Sequence, residues 1–346
     1  MSNSRRPIGA HLVGTVPLES AEEVFRTASN LLGGNLKRIP DGETGARKDW
    51  IWIQAPVLER VSGLERRDVD VPVFGRVPKF RPADGVSVDD LELGPLGYAE
   101  FATESYRVFS DLKAQGVIGE DVRLQVTMPT PLTPAVLFGD EDARPVVEQL
   151  YTQASLRELE TILERIPHEE LAFQWDNCVE FLMSAGYPLA QPWFDDVHQG
   201  IRDRMQRLTS VVPSEVDLGF HLCYGDFSHE RQVDLEDARS LVDFANNLVT
   251  TVPRHISYIH MPVNCGRDPK SFLPPLADLK LEPGTDLYLG LLHQDDGVEG
   301  ARKRIEAAGE YVTEFGVAAE CGMGRRPAEA IRPLLEIHQA ACDVSF

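Results

Sequence analysis

The sequence predicts an α/β fold, a single (β/α)8 TIM barrel spanning residues 1–346 with a hairpin excursion after the second strand and a long loop after the sixth. Three observations predict it. Short apolar runs of six to nine residues recur eight times, each closed by Gly, Pro, Asp, Asn or another polar turn residue. Amphipathic helical patterns separate most of these runs, an alternation that gives parallel strand pairing through helical crossovers. A length of 346 residues suits a large barrel built as one unit.

In chain order the strand candidates are AHLVGT, LKRIPDG, VRLQVTMPT, LAFQWDN, DLGFHLCY, ISYIHMPV, DLYLGLLH and GVAAECGMG. Between the third and fourth, Leu159, Ile162, Leu163 and Ile166 fall on one helical face. Between the fifth and sixth, Leu241, Val242, Ala245, Leu248 and Val249 do the same. Two segments break the alternation. Residues 70–96 are rich in Pro, Asp and Val and read as the hairpin excursion, and residues 264–284 read as the long loop. Loops of that length cover sites or mediate assembly, so a homo-oligomer in which 70–96 packs between subunits is compatible with the pattern.

The chain is 42% hydrophobic and 26% charged, the profile of a globular protein with a large core. Its formal net charge is −21 and it carries no extended Lys/Arg cluster, which argues against nucleic acid or an anionic membrane as a partner and for a small-molecule substrate. No window approaches the roughly 18–20 apolar residues of a membrane span. The N-terminal stretch lacks the apolar core of a secretory signal. Five cysteines, odd in number and widely spaced, do not form a disulfide framework. These features place the protein in the reducing cytoplasm, where Cys beside His raises the odds of metal binding.

In a barrel of this kind chemistry collects at the C-terminal ends of the strands. Asp41 and Glu43 follow the second strand, Asp176 ends the fourth, and His221 and Cys223 lie in the fifth. His260 is late in the sixth, His293 closes the seventh, and Glu320 and Cys321 are late in the eighth. Residues i and i+2 of a strand project to one side, so His221 and Cys223 face the barrel mouth together. Zinc takes three or four thiolate, imidazole or carboxylate ligands, and Cys321 and His260 sit at matching height to complete a set with them. Asp176 is preceded by Trp175, which reads as an aromatic wall beside a carboxylate. Cys178 and Cys265 read as packing and loop thiols, Cys342 as structural. His11 starts the first strand at the end of the barrel away from the site, and His168, His229 and His338 read as surface or packing residues.

Read in order, these motifs resemble the catalytic, C-terminal barrel of cobalamin-independent methionine synthase, in the superfamily that includes uroporphyrinogen decarboxylase. HLVGTVP is similar to the first-strand motif, DGETGARKDW to the Gly-Glu segment after strand two, and LQVTMPTP to the strand-three turn. FQWDN resembles the strand bearing the substrate-facing aspartate, HLCY the zinc-binding His-x-Cys, and AECGMG the segment with the last zinc cysteine. The resemblance implies Zn²⁺ held by His221, Cys223 and Cys321, with a substrate thiol activated as a zinc thiolate for methyl or alkyl transfer. It places Glu43 and Asp176 on the amino group of the substrate and the backbone at Thr15 near its carboxylate. It also makes His293 the group that protonates the leaving group.

The chain departs from the family in having His260 where methionine synthases carry a glutamate ligand. His260 is accordingly expected as a fourth ligand, or as a residue behind the site or facing the substrate. The folate-binding half of the full-length synthase has no counterpart in this sequence. The expected activity is therefore a zinc-dependent transferase acting on a thiol, distinct from methyl-folate-dependent methionine synthesis. The alternative is a zinc-dependent lyase or hydrolase using Lewis-acid or metal-activated water chemistry on the same barrel.

Overall fold

The computed structural model describes residues 5–227 and 230–346. His229 lies outside them. Twelve strands are present among the described residues: β1 (Ala10–His11), β2 (Arg38–Pro40), β3 (Leu64–Val71), β4 (Gly75–Pro82), β5 (Arg123–Pro129), β6 (Leu171–Asn177), β7 (Asp217–Leu222), β8 (Asp226–Phe227), β9 (Glu230–Arg231), β10 (Tyr258–Pro262), β11 (Asp286–Leu292) and β12 (Gly316–Ala319). Eight of them form one parallel sheet in the order β1-β12-β11-β10-β7-β6-β5-β2. A bridge between Ala10 and Leu36 brings the two ends together, so the sheet is a nearly closed barrel wrapped by helices. All eight predicted strands fall on these barrel strands.

Beyond that bridge the first strand lacks a ladder partner on the β2 side, and glutamines take its place. Gln125 Nε2 donates to the carbonyls of Leu12 and Val13 at 3.0 and 2.9 Å, and Gln174 Nε2 donates to Val13 at 2.8 Å. Buried carbonyls need such partners, and here inward side chains supply what the shortened ladder does not.

The remaining strands make two antiparallel hairpins. β3 and β4 pair from Leu64–Pro82 to Val71–Gly75, a hairpin at the expected excursion that begins six residues before the predicted segment 70–96 and ends at Pro82. β8 pairs with β9. The helix at Arg144–Arg165 holds Leu159, Ile162 and Leu163 of the predicted face, with Ile166 as its C-cap, and that at Arg239–Thr251 holds its whole predicted face. The segment after β10 folds into a short helix, Pro269–Phe272, and a tight turn at Pro274–Asp278. No helix among the described residues is long and apolar enough to cross a membrane.

Strand period sorts the barrel residues into two sets. Leu171, Phe173 and Trp175 of β6, Leu218, Phe220 and Leu222 of β7, and Leu287, Leu289 and Leu291 of β11 alternate with the inward residues and are buried in the apolar core. The inward set is polar. At the base, Arg38 is buried with its guanidinium 2.7 Å from Asp217 and 3.2 Å from Asp286, and it lies over the Tyr258 ring at 4.2 Å. Gly219 leaves room for that ring: a Cβ there would lie 2.0 Å from it. His11 is a packing residue, as expected, but inside the barrel, with ring centroids 5.2 Å from Tyr258 and 5.0 Å from Tyr288.

Removing one partner from a buried ion pair strands the others without compensation. Arg38→Met is therefore expected to lower unfolding free energy by about 3 kcal/mol in urea titrations. A change below about 1 kcal/mol, the level of a surface pair, would show that Lys37 and Arg123 neutralise the two aspartates without it.

Candidate metal centre and substrate cavity

Register builds the site. In β6, β7 and β10 the parallel ladder pairs Asp176 with His221 and His221 with His260, so three neighbouring strands present these inward side chains at one level. Cys223 follows His221 by two positions and shares its direction. Cys321 enters from the turn after β12. The ligand atoms of His221, Cys223 and Cys321 all lie within 4.8 Å of one another, and Cys321 Sγ is 3.7 Å from His221 Nε2. Tetrahedral zinc with one nitrogen and one sulfur ligand needs a separation of roughly 3.6 Å, so the donor set fits this metal in chemistry and in spacing.

His260 lies behind His221 and does not join this group. Its Nδ1 is 2.7 Å from His221 Nδ1, and its Nε2 is 3.0 Å from the Ala319 carbonyl oxygen, so both ring nitrogens have protein partners. The expectation of His260 as fourth ligand is corrected here. Tilting between the two rings (centroids 4.8 Å apart) turns His221 Nε2 to the cysteines and leaves His260 facing inward. Burial holds His221 well below the usual imidazole range and His260 down at about 3, so both rings are neutral and suited to ligation or to hydrogen bonding. The Cys223 thiol is held well above its ordinary value by a hydrogen bond with Cys178 and by burial. Metal entry must therefore displace a proton there.

A cavity of about 320 Å³ opens in front of the three donors. Its acidic side is formed by Glu43 and Asp176, with Thr15 and Gly14 between strands; Trp50, Trp52, Val73 and Phe74 form an apolar wall, and Lys48 and Arg325 stand at its cationic edge. Gly42 has a φ of +81°, and a Cβ there would lie 2.6 Å from Val24, so only glycine makes the turn that delivers Glu43. Glu43 itself has a φ of +48°. Asp41 holds that turn: its carboxylate accepts the Glu43 N–H at 2.9 Å, Ser105 Oγ at 2.6 Å and both terminal nitrogens of Arg47 at 3.2 and 2.7 Å.

Thr15 Oγ1 donates to Glu43 Oε2, Gln174 Nε2 donates to Asp176 Oδ1 at 3.0 Å, and the Trp50 side chain also hydrogen-bonds Asp176. Burial nonetheless pushes Glu43 up to about 7, against the pull of Thr15 and Arg47. Burial and then the Glu43 charge hold Asp176 well above the carboxylate range. Burial and the Glu43 charge on Asp176 thus favour a proton on the pair at neutral pH until a cation arrives.

Trp175 is corrected as a substrate-facing residue. Strand alternation points it outward, where it packs edge-on against Phe173 at 5.0 Å, and the aromatic wall comes instead from Trp50, Trp52 and Phe74. Trp50 adopts a φ of +50° at a kink within Gly45–Gln54, a strained turn of the kind that persists where a side chain is aimed at a site. Cys178 lines the cavity as well as packing. The tryptophans were visible in RKDWIW beside the Gly-Glu segment, and Arg325 in the residues after AECGMG. The hairpin tip carried no such signal.

His293 does not line the cavity. Its Nδ1 is 3.4 Å from Glu320 Oε2, and with Cys265 and Glu320 it forms a second group whose ligand atoms lie within 4.8 Å. Arg231 occupies that group, donating to Glu320 at 2.6 and 3.2 Å and to Cys265 Sγ at 3.0 Å, while Tyr224 also donates to Glu320. A guanidinium in contact with both acceptors takes the place of a metal cation there, and the cluster reads as an ion-pair network behind the cavity wall.

No protein-family model matches the sequence, and no curated protein matches it. Solved structures do. A B12-independent methionine synthase from Shewanella sp. W3-18-1, in complex with selenomethionine, superimposes with a TM-score of 0.65 over 98% of each chain at 14% identity. A methyltransferase from Methanosarcina mazei does so with a TM-score of 0.53 over 96% of this chain and 93% of its own, also at 14% identity. The chain thus shares, nearly end to end, the barrel fold of a cobalamin-independent methionine synthase.

Proposed function

We propose that this protein is a zinc-dependent transferase that moves a methyl or other alkyl group onto a thiol. The convergence of His221 Nε2, Cys223 Sγ and Cys321 Sγ at the head of a cavity with a buried carboxyl pair carries this reading. Its fold is that of methyltransferases, and one of those structures holds selenomethionine, a methylated chalcogen bearing an amino acid head.

Zinc bound by the three residues would hold an incoming thiol as thiolate at neutral pH, since a free thiol has a pKa of about 8.5. The protein's own groups do the rest. Glu43 and Asp176 bind the amine of the acceptor, and the proton that burial favours on Glu43 passes to solvent as that amine enters. Lys48 and Arg325 receive its carboxylate. Trp50, Trp52 and Phe74 hold the alkyl donor and exclude water, which would otherwise compete for the electrophile. The S–H proton is released on binding, the S–C bond forms, and the bond from carbon to the leaving group breaks with its electron pair departing on that group. We take the reaction to differ from methyl-folate-dependent methionine synthesis and to occur in a reducing cytoplasm, where the free cysteines stay reduced.

Cobalt substitution tests the proposal. Adding homocysteine or coenzyme M to the Co²⁺ protein is expected to strengthen the sulfur-to-metal charge-transfer absorption as a third sulfur joins the metal. An unchanged spectrum at saturating thiol would sink thiol activation and favour the lyase or hydrolase alternative.

A further inference from the structure

His260 has the chemistry of a metal ligand and the surroundings of something else. It is 0% exposed, lies one strand behind His221, and spends both ring nitrogens on protein atoms. The identity of those atoms fixes where the protons sit. A backbone carbonyl accepts only, so the Ala319 oxygen at 3.0 Å requires the hydrogen on His260 Nε2. A buried imidazole with no carboxylate partner is neutral, so His260 Nδ1 then carries a lone pair. His221 Nδ1, 2.7 Å away, must therefore be the donor of that contact. One neutral ring cannot carry a hydrogen on both nitrogens, so His221 Nε2 is left as a lone pair, and this is the atom that faces Cys321 Sγ at 3.7 Å.

We infer that His260 is a positioning residue: through a two-step relay from the Ala319 carbonyl it fixes the tautomer and ring direction of His221, presenting Nε2 for ligation in a one-histidine, two-cysteine site. The fourth metal position then belongs to the cavity and its substrate. Ala319 is the last residue of β12, and Cys321 follows it by two positions, so the relay also ties the direction of the histidine ligand to the turn that delivers a cysteine ligand. Partners behind a metal-bound histidine commonly orient it and set its basicity. The inference rests on the metal reading above for its purpose and stands apart from it in its test.

Three measurements test it. Long-range ¹⁵N–¹H correlation spectra of the metal-free protein, with ring signals assigned by His221→Gln and His260→Gln, are expected to show His221 protonated at Nδ1 and His260 at Nε2. Finding His221 protonated at Nε2 would overturn the relay.

X-ray absorption at the zinc edge is expected to show one histidine and two sulfur ligands in both wild type and His260→Gln. Two histidines in the wild type falling to one in the variant would make His260 a ligand and refute the proposal. In competition with a chromophoric chelator, His260→Ala is expected to bind zinc roughly ten- to hundredfold more weakly. His260→Gln restores most of that affinity, because its carbonyl can accept from His221 while its amide donates to Ala319. Equal affinity of His260→Ala and wild type would contradict the inference. A wild type that binds no stoichiometric zinc would instead refute the metal reading, and the ring tautomers of the metal-free protein would still decide this one.

Discussion

Cys321→Ser is expected to give a folded protein that purifies with substoichiometric zinc and has lost alkyl transfer to thiols. Cys321 is only partly buried, at the edge of the core and in a turn, so the exchange of sulfur for oxygen costs little packing. Its consequence is chemical. A serine hydroxyl is not deprotonated by zinc at neutral pH as a thiol is, and two of three donors make a weak site. Without the metal, only about one thirtieth of a substrate thiol with a pKa near 8.5 is ionised at pH 7, so loss of ionisation alone costs roughly 30-fold. Loss of orientation adds to that. Cys223→Ser is expected to behave in the same way. Zinc content by atomic emission and thiol alkylation rates, measured on the same preparations, check both. Either variant keeping full zinc and full rate would remove that cysteine from the centre.

Glu43→Gln is expected to have the second largest effect, confined to acceptors bearing an amine. The amide keeps an oxygen for the Thr15 hydroxyl, so the turn is preserved while the charge is lost. A charge-assisted hydrogen bond contributes about 1.5–3 kcal/mol, which predicts a rise in the Michaelis constant of roughly 10- to 100-fold for homocysteine. An amine-free thiol such as 3-mercaptopropionate should be affected far less. The pH dependence separates the two more sharply.

An ammonium group binds the ionised pair, so affinity for the amine-bearing thiol should rise as pH climbs through about 7, the position to which burial pushes Glu43. That step should be absent with the amine-free thiol, and in Glu43→Gln only the part contributed by Asp176, which burial also holds up, should remain. Stability should move in the opposite sense. The folded state binds a proton that the unfolded chain, with its carboxyl near the ordinary value of about 4.3, has released. Glu43 therefore makes folding less favourable as pH rises from that value to about 7, by roughly 4 kcal/mol in total. Glu43→Gln removes this slope, and unfolding titrations across that window detect it. Equal losses for both thiols, or a pH step of undiminished size in the variant, would refute the amine-binding role of Glu43.

Both predictions rest on residues whose positions the sequence marks and whose partners it does not. The eight apolar runs each hold enough β-forming residues, closed by turn residues, to define a strand, and helices between them demand parallel pairing. From that alone follows the barrel, and from strand period the shared direction of His221 and Cys223. Cys321, Glu43 and Asp176 were legible in the same way, because a barrel delivers the C-terminal ends of its strands to one face.

Trp175 was misread because adjacency in sequence is the opposite of adjacency in a strand: the residue beside an inward aspartate points outward. Trp50, Trp52 and Phe74 come from a kinked turn and the end of a hairpin, whose reach depends on how those segments pack over the mouth. His293 follows its strand as expected, yet Glu320 and Arg231 draw it into a network behind the wall.

His260 is the clearest case. Its residue type and its strand made it a ligand candidate, and both are properties of the chain. Whether an imidazole reaches a metal or supports another imidazole depends on strand register, on ring rotation and on which carbonyl lies within 3 Å. Those are relations between β7, β10 and β12, elements far apart in the sequence. By itself the sequence determined the barrel, the end at which chemistry collects and the residue types brought there, since local periodicity and composition encode all three. Which of those residues touch one another was decided only by the packed barrel, because hydrogen bonds and charges act over a few ångströms and only tertiary structure sets distances on that scale.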